Sequence, residues 1–351
     1  MKKIYIISMN NYAGKTVVGI GLINILIEKG YKVGYIKPIG TIPQVIGSCV
    51  YDASALLVKK IFSLEEKDEI ISPFVATYDV IQSVIREGTT IEIKKKILNA
   101  IESINNKDFL IMSAAGDFFT GAIFGLNLVD FIKEIDAKVL LVESFANELI
   151  VDNIIGVYNI LKDNIVGCVI NRIPKNVLKY VEKDLKSFLE KKGIKVFGCF
   201  EKDEILGALT VRDLVSILDG KVLCCEDKLD EIVEHYSIGA MDVSNAFKYF
   251  KRINNKAVIT GSHRTDIQLA ALETSTKVII LTGGTGVNDV VLAKAISCGV
   301  PLVSVEYDTF SVVDKIELVV GKVRIKEGEK IDKIKKMFKE KFDLERFLEA
   351  L

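Results

Sequence analysis

The sequence predicts an α/β protein: a doubly wound, mostly parallel sheet with helices on both faces, followed by a second, smaller α/β domain. Short runs that are apolar throughout recur along the chain, and stretches of helical period separate them. The same rhythm restarts, more tightly, after Glu201-Lys202-Asp203. Strands buried on both faces of a parallel sheet read as continuous apolar runs, because crossover helices cover each face.

Ile4 to Ile7 is the first such run. Val18, Leu22, Ile25 and Leu26 then fall on one helical face, and Gly30 stands where that helix would stop. Further strand-like runs follow at Val33 to Ile36, Phe109 to Met112, Val139 to Val142, Val166 to Ile170 and Val196 to Phe200. In the second part, Ala257 to Thr260, Val278 to Leu281 and Pro301 to Val305 read as strands. Helical segments over Asp266 to Thr274 and Asp289 to Cys298 separate them, with Gly299 as a helix stop. From Lys330 onward, Ile331, Ile334, Phe338, Phe342 and Phe347 among many lysines predict a C-terminal amphipathic helix, expected to dock on the second domain. The expected domains are therefore 1–203, 204–325 and a C-terminal helix over 326–351.

A chain of 351 residues buries enough surface for about two domains, and 49% apolar with 27% charged residues is an ordinary globular composition. Lys plus Arg (47) balances Asp plus Glu (47), so no bulk charge draws the protein to nucleic acid or anionic lipid. The apolar run behind Met1-Lys2-Lys3 is too short for a signal-peptide core, and no stretch reaches bilayer-spanning length. A cytoplasmic protein with a small-molecule or protein partner, and neither nucleic acid nor membrane, is the expectation. The six cysteines are scattered with no Cys-x-x-Cys, which suits buried reduced thiols.

Ser8-Met9-Asn10-Asn11-Tyr12-Ala13-Gly14-Lys15-Thr16 lies between a buried strand and a helix, the context in which Gly-Lys-Thr signals phosphate binding. Backbone amides would wrap the phosphates, Lys15 would neutralise the outer ones, and the Thr16 hydroxyl would be a magnesium ligand. The glycine usual at the start of such a loop is missing: Met9 or Ser8 stands there. Asn10 and Asn11 are the residues expected to take up the left-handed conformations in its place. Lys37, at the end of the second strand and before Pro38, should sit beside this loop, where ligands bind open α/β sheets.

"NNYAGKTVVGIGL", "GYIKPIGTIP", "VINRIP" and "VITGSHRTDIQLAALETSTKVIILTGG" together resemble the amino-terminal region of long bacterial phosphotransacetylases, which also occurs free-standing. That region joins a P-loop NTPase-type domain similar to dethiobiotin synthetase to a DRTGG-type domain. The resemblance covers nearly the whole chain. The acetyltransferase domain that follows in the long enzymes is not found before Leu351, so acetyl transfer by this chain is not expected.

The resemblance to dethiobiotin synthetase implies ATP and Mg2+ as cofactors. It matches Gly14, Lys15 and Thr16 to the phosphate loop, and Lys37 to the lysine that contacts reacting substrate and phosphate. Asp52 matches a magnesium-binding aspartate, though a helix cap would look the same. Asn171 matches the asparagine that reads adenine, with a turn residue as the alternative. One position departs from the pattern: where the enzymes carry a metal-binding glutamate this chain has Ser113, with Asp117 close behind. That departure puts turnover in doubt more than binding.

In the second domain the first family turn reads Gly261-Ser262-His263-Arg264-Thr265-Asp266, with His263 where an aspartate is usual. The second reads Thr282-Gly283-Gly284-Thr285-Gly286. Both follow predicted strands, so Arg264, Asp266, Thr282, Gly283 and Gly284 should share one edge suited to an anion, with Tyr307-Asp308-Thr309 beside them. Tight turns alone would leave the same glycines. The resemblance implies a ligand-sensing role for an unidentified small-molecule effector.

Two functions follow. The preferred one is an ATP-binding regulatory or scaffold protein with weak or no turnover, acting as a homo-oligomer or on a metabolic enzyme partner. The alternative is an ATP-dependent ligase that activates a carboxylate or carbamate, with Lys37 catalytic. A partitioning-type ATPase, which usually carries a second lysine early in the loop, finds Met9-Asn10 there instead.

Overall fold

The computed structural model describes residues 1–88, 91–203, 209–284, 286–320 and 328–351. The chain forms two compact units, one of Met1–Lys202 with the C-terminal segment, the other beginning at Asp203. The predicted domain limits at 204 and at 325/326, and Thr285 of the second glycine turn, lie outside the described residues.

The first unit contains β1 (Lys2–Ile7), β2 (Val33–Ile36), β3 (Pro43–Ile46), β4 (Cys49–Asp52), β5 (Phe109–Ser113), β6 (Lys138–Ser144), β7 (Ile165–Ile173) and β8 (Val196–Glu201). Six of these make one parallel sheet in the order β2-β5-β1-β6-β7-β8, while β3 and β4 form a separate antiparallel hairpin. β1 therefore lies between β5 and β6, and the loop that follows it emerges at the carboxyl edge, where strand order reverses. Each predicted apolar run of this unit is a strand of this sheet. The hairpin was not foreseen, because its strands are exposed and carry no apolar alternation.

The helix Lys15–Glu28 is buried all round from Val17 to Leu26, rather than on the single face its sequence suggested. The reason is the C-terminal segment, which docks here and not on the second unit. Its helix Gly328–Lys341 packs along Lys15–Glu28 and reaches β8. Phe338 lies 4.7 Å from Phe200 and 5.3 Å from Phe342 between ring centroids, and Phe347 meets Phe197 edge-on at 5.3 Å. The segment is also two helices rather than one. Asp343 breaks it by donating its amide to the Phe197 carbonyl and capping Leu344–Glu349 through the Arg346 amide. Its apolar face is thereby covered.

The second unit contains β9 (Leu209–Thr210), β10 (Lys221–Cys224), β11 (Ile232–Val233), β12 (His235–Ile238), β13 (Lys256–Gly261), β14 (Thr276–Thr282) and β15 (Leu302–Ser304). Its sheet runs β10-β15-β14-β13-β12, parallel except for β10. Ala257, Ile259, Val278 and Ile280 point into one apolar cluster, and Val258, Ile279 and Leu281 into another on the opposite face. The predicted helix Asp289–Cys298 is present, closed by Gly299 at φ 65°.

All six cysteines are free thiols. Cys168 and Cys199 are buried as expected, whereas Cys49 and Cys298 are exposed.

Candidate functional site

The loop after β1 ends at Gly14, whose φ of 101° and ψ of 22° place it in the left-handed region at the start of the helix. No side chain caps that helix. Its first amides have no intrahelical acceptor, so they remain directed toward an anion. The other left-handed residue of the loop is Tyr12 at φ 61°; Asn10 and Asn11 are not among the residues of positive φ, contrary to expectation. The start of the loop is held at Met9, whose side chain packs against the core and whose amide donates to Glu143 Oε1 at 2.6 Å.

Lys15 is 8% exposed. Its ammonium donates to Ser8 Oγ at 2.6 Å and to the Gly116 carbonyl. Burial pulls its pKa down to about 8, the positive charge of Lys37 adds to this, and Glu143 and Asp117 oppose it. A buried cation held only by neutral oxygens is well prepared to exchange them for an anion.

Asn171 was read as an adenine contact or a turn residue. Its amide nitrogen donates to the Ala13 carbonyl at 2.9 Å, so the side chain buttresses the phosphate loop. A β-carbon on Gly14 would fall 2.1 Å from that nitrogen, and glycine is required there for space as well as for φ.

Lys37 and Asp52 find each other. The Lys37 ammonium donates to both carboxylate oxygens, at 2.9 and 3.0 Å, and to Ser54 Oγ at 2.8 Å. Asp52 Oδ1 also accepts from the Ser54 and Ala55 amides, capping the helix Ala53–Phe62, while Oδ2 accepts from the Thr41 and Ile42 amides. Burial works to raise the Asp52 pKa, but Lys37 and the donated hydrogen bonds outweigh it and hold the carboxyl below its ordinary value. The helix-cap alternative is thus realised, and both oxygens are engaged. Ser113 is buried at the end of β5, and Asp117 Oδ1 is turned back on the Phe119 amide and the Thr120 hydroxyl. Among the described residues no group of three or more His, Cys, Asp or Glu is placed to hold a metal. The residues present fit a phosphate chain; for magnesium they offer the Thr16 hydroxyl without a free carboxylate from Asp52.

Glu143 is the residue that sequence reasoning passed over. It is fully buried at the carboxyl end of β6, one strand from the loop. A lone acid closing a central apolar run, Val139 to Val142, was the available signal.

In the second unit Gly261 and Thr282, which end β13 and β14, are register partners, so both family turns leave the same end of the sheet. Arg264 pairs with Asp266 through Nε–Oδ1 at 3.1 Å and Nη2–Oδ2 at 3.2 Å, and also donates to the Met241 carbonyl. The Thr282 and Thr309 hydroxyls meet at 3.0 Å. Gly283 and Gly284 are left-handed at φ 90° and 64°, yet their amides donate to the Tyr307 and Val305 carbonyls and are not directed at a ligand. Asp308 caps the helix Thr309–Val320 through the Phe310 and Ser311 amides. His263 is exposed.

Among the described residues, no helix is long and apolar enough to cross a membrane. Residues 2–210 match the AAA domain family, and residues 213–319 match the DRTGG domain. The phosphate acetyltransferase of Synechocystis sp. is 23% identical over 77% of this chain and 39% of its own length. That of Nitratidesulfovibrio vulgaris is 23% identical over 97% of this chain and 50% of its own. The chain thus spans half or less of the length of these relatives. A crystal structure of the CBS and DRTGG domains of the regulatory region of Clostridium perfringens pyrophosphatase, complexed with diadenosine tetraphosphate, aligns with 45% of this chain and 75% of that one. The identity is 15% and the TM-score 0.30, a likeness that carries no functional argument. With its P-loop unit matched over more than half of its length, the chain belongs to the AAA domain family, carries a DRTGG domain after it, and is related to the amino-terminal region of phosphate acetyltransferases.

Proposed function

We propose that the chain binds ATP with Mg2+ at the loop Ser8–Thr16 and acts as a ligand-sensing regulatory protein with little or no turnover. The observation that carries this reading is Lys15, buried beside an uncapped helix start that follows a left-handed Gly14, and held only by neutral oxygens. Phosphate oxygens would replace Ser8 Oγ and the Gly116 carbonyl on the ammonium and accept the first helical amides. Magnesium would rest on the Thr16 hydroxyl and on phosphate oxygens, keeping much of its water. Weak turnover is supported by Ser113 in place of a carboxylate and by the mutual engagement of Lys37 and Asp52.

The ligase alternative needs Lys37 on the substrate. Its ammonium would have to leave a buried carboxylate, a break that is strongly unfavourable unless substrate compensates. The edge of Arg264, Asp266, Thr282, Gly283 and Gly284 is proposed to take the effector, which would meet the Arg264 fork and the threonine hydroxyls rather than the glycine amides.

Calorimetric titration with Mg-ATP and Mg-ADP, followed by a phosphate-release assay on the same sample, tests the reading. Saturable binding that Lys15→Ala removes, without phosphate release, is expected. Absence of binding sinks it, and substrate-dependent release across a carboxylate panel that Lys37→Ala abolishes would favour the ligase.

A further inference from the structure

We propose that Glu143 is a positioning residue of the phosphate loop: it anchors the Met9 amide in place of the missing glycine, and its charge sets how readily the loop accepts phosphate. This rests on the nucleotide-binding reading above. A glycine-led loop takes its shape from backbone freedom. Here the loop begins on a methionine with an ordinary φ, and its shape is imposed from outside by two contacts. The Met9 side chain is packed on the core, and the Met9 amide donates to Glu143 Oε1 at 2.6 Å.

The carboxylate that accepts this bond is fully buried; its second oxygen, Oε2, has no partner at hydrogen-bond geometry, although the Asn153 and Asn10 side chains are near enough to favour the charged form. Such an oxygen is costly to keep in a stable fold, and none of the bonds that shape β6 needs it. Burial raises the Glu143 pKa; the Met9 amide, the Asn153 side chain, the Lys15 charge and the Asn10 side chain oppose that rise. The ionisable groups facing it are Lys15 from the helix and Cys168 from β7, each of which interacts with its charge. Lys15 is the group that receives phosphate, so a charged Glu143 steadies the lysine and disfavours the incoming anion. A protonated Glu143 keeps the Met9 bond and removes that repulsion.

Titrations of Mg-ATP into the full chain test this, with wild type, Glu143→Gln and Glu143→Leu compared at several pH values. Glutamine retains an acceptor for Met9 without the charge, while leucine retains neither. The expected order is Gln at or above wild type, with Leu weaker by about tenfold. Well below the Lys15 pKa of about 8, where that lysine is charged in both proteins, the ratio of Gln to wild-type affinity should grow with pH as Glu143 ionises. A Leu variant that binds like wild type, or a Gln variant as weak as Leu, overturns the anchor. If the Leu variant does not fold, the Gln-to-wild-type ratio decides alone, and a ratio independent of pH overturns the proposal. Absence of binding in wild type defeats the nucleotide reading and this inference with it, whereas wild-type binding with indifferent variants defeats only the inference.

Discussion

The Phe338 ring rests on the bare α-carbon of Gly21, so closely that a β-carbon there would fall 2.1 Å from it. Glycine inside a helix normally costs stability; here it is the condition for docking the C-terminal helix. Gly21→Ala should therefore destabilise the first unit by about 1–3 kcal/mol, an overpacking cost, despite the better helix propensity of alanine. Chemical denaturation measures it. In a Phe338→Ala background the same change should become neutral or favourable, and additive effects would show that the contact is not responsible.

Gly14→Ala should abolish tight nucleotide binding, by at least about tenfold, while leaving the second unit folded. Two constraints act together: a φ of 101° and the Asn171 amide in the space of the new methyl group. Calorimetry with Mg-ADP reads the loss. Asn171→Ala should weaken binding less, because it removes the buttress on Ala13 without straining the backbone.

Lys15 gives the site a pH dependence of definite sign. Its pKa in the free protein is pulled down to about 8, chiefly by burial. Phosphate favours the charged form, so the contribution of Lys15 to affinity should be full below that value and fall as pH rises through it, with proton uptake accompanying binding on the alkaline side. Lys15→Ala should bind weakly and without this dependence. A wild-type affinity that stays constant between about pH 7 and about pH 9 would contradict the assignment.

The Lys37–Asp52 pair predicts a stability effect separable from binding. Asp52→Ala leaves a buried ammonium without its counter-ion and should cost about 3–5 kcal/mol, read as a lowered denaturation midpoint. The Asp52 pKa is held below its ordinary 3.8, so its contribution is complete above that value. It is lost only as pH falls further, through the folded pKa. Denaturation curves between about pH 7 and about pH 4 should therefore change little on account of this residue.

Much of the fold was legible because its strands are buried on both faces. Runs such as Val139 to Val142 can be read without knowing their neighbours, and the Gly14-Lys15-Thr16 junction carries its own context. What was not legible depends on the partner across a contact. Lys37 precedes the β3–β4 hairpin and Asp52 ends it, and nothing in either residue says that each will occupy the other. Gly21 in "VVGIGLINIL" meets a ring that lies more than three hundred positions later, so nothing near it in the sequence names its partner. β12 reads His-Tyr-Ser-Ile and lacks the apolar run by which the central strands of that sheet were found, while β10 has one in Val222 to Cys224 but only a short, half-exposed one.

The return of the C-terminal segment to the first unit has a consequence for biosynthesis. As the chain leaves the ribosome, β1 to β8 are complete long before Phe338, Phe342 and Phe347 exist to cover the outer side of the helix behind the phosphate loop. During that interval the helix exposes Gly21 and the apolar residues around it, and the whole DRTGG domain is synthesised before they are closed over. A chain interrupted within the DRTGG domain would therefore carry the Gly14-Lys15-Thr16 motif with an uncovered apolar face on the helix behind it.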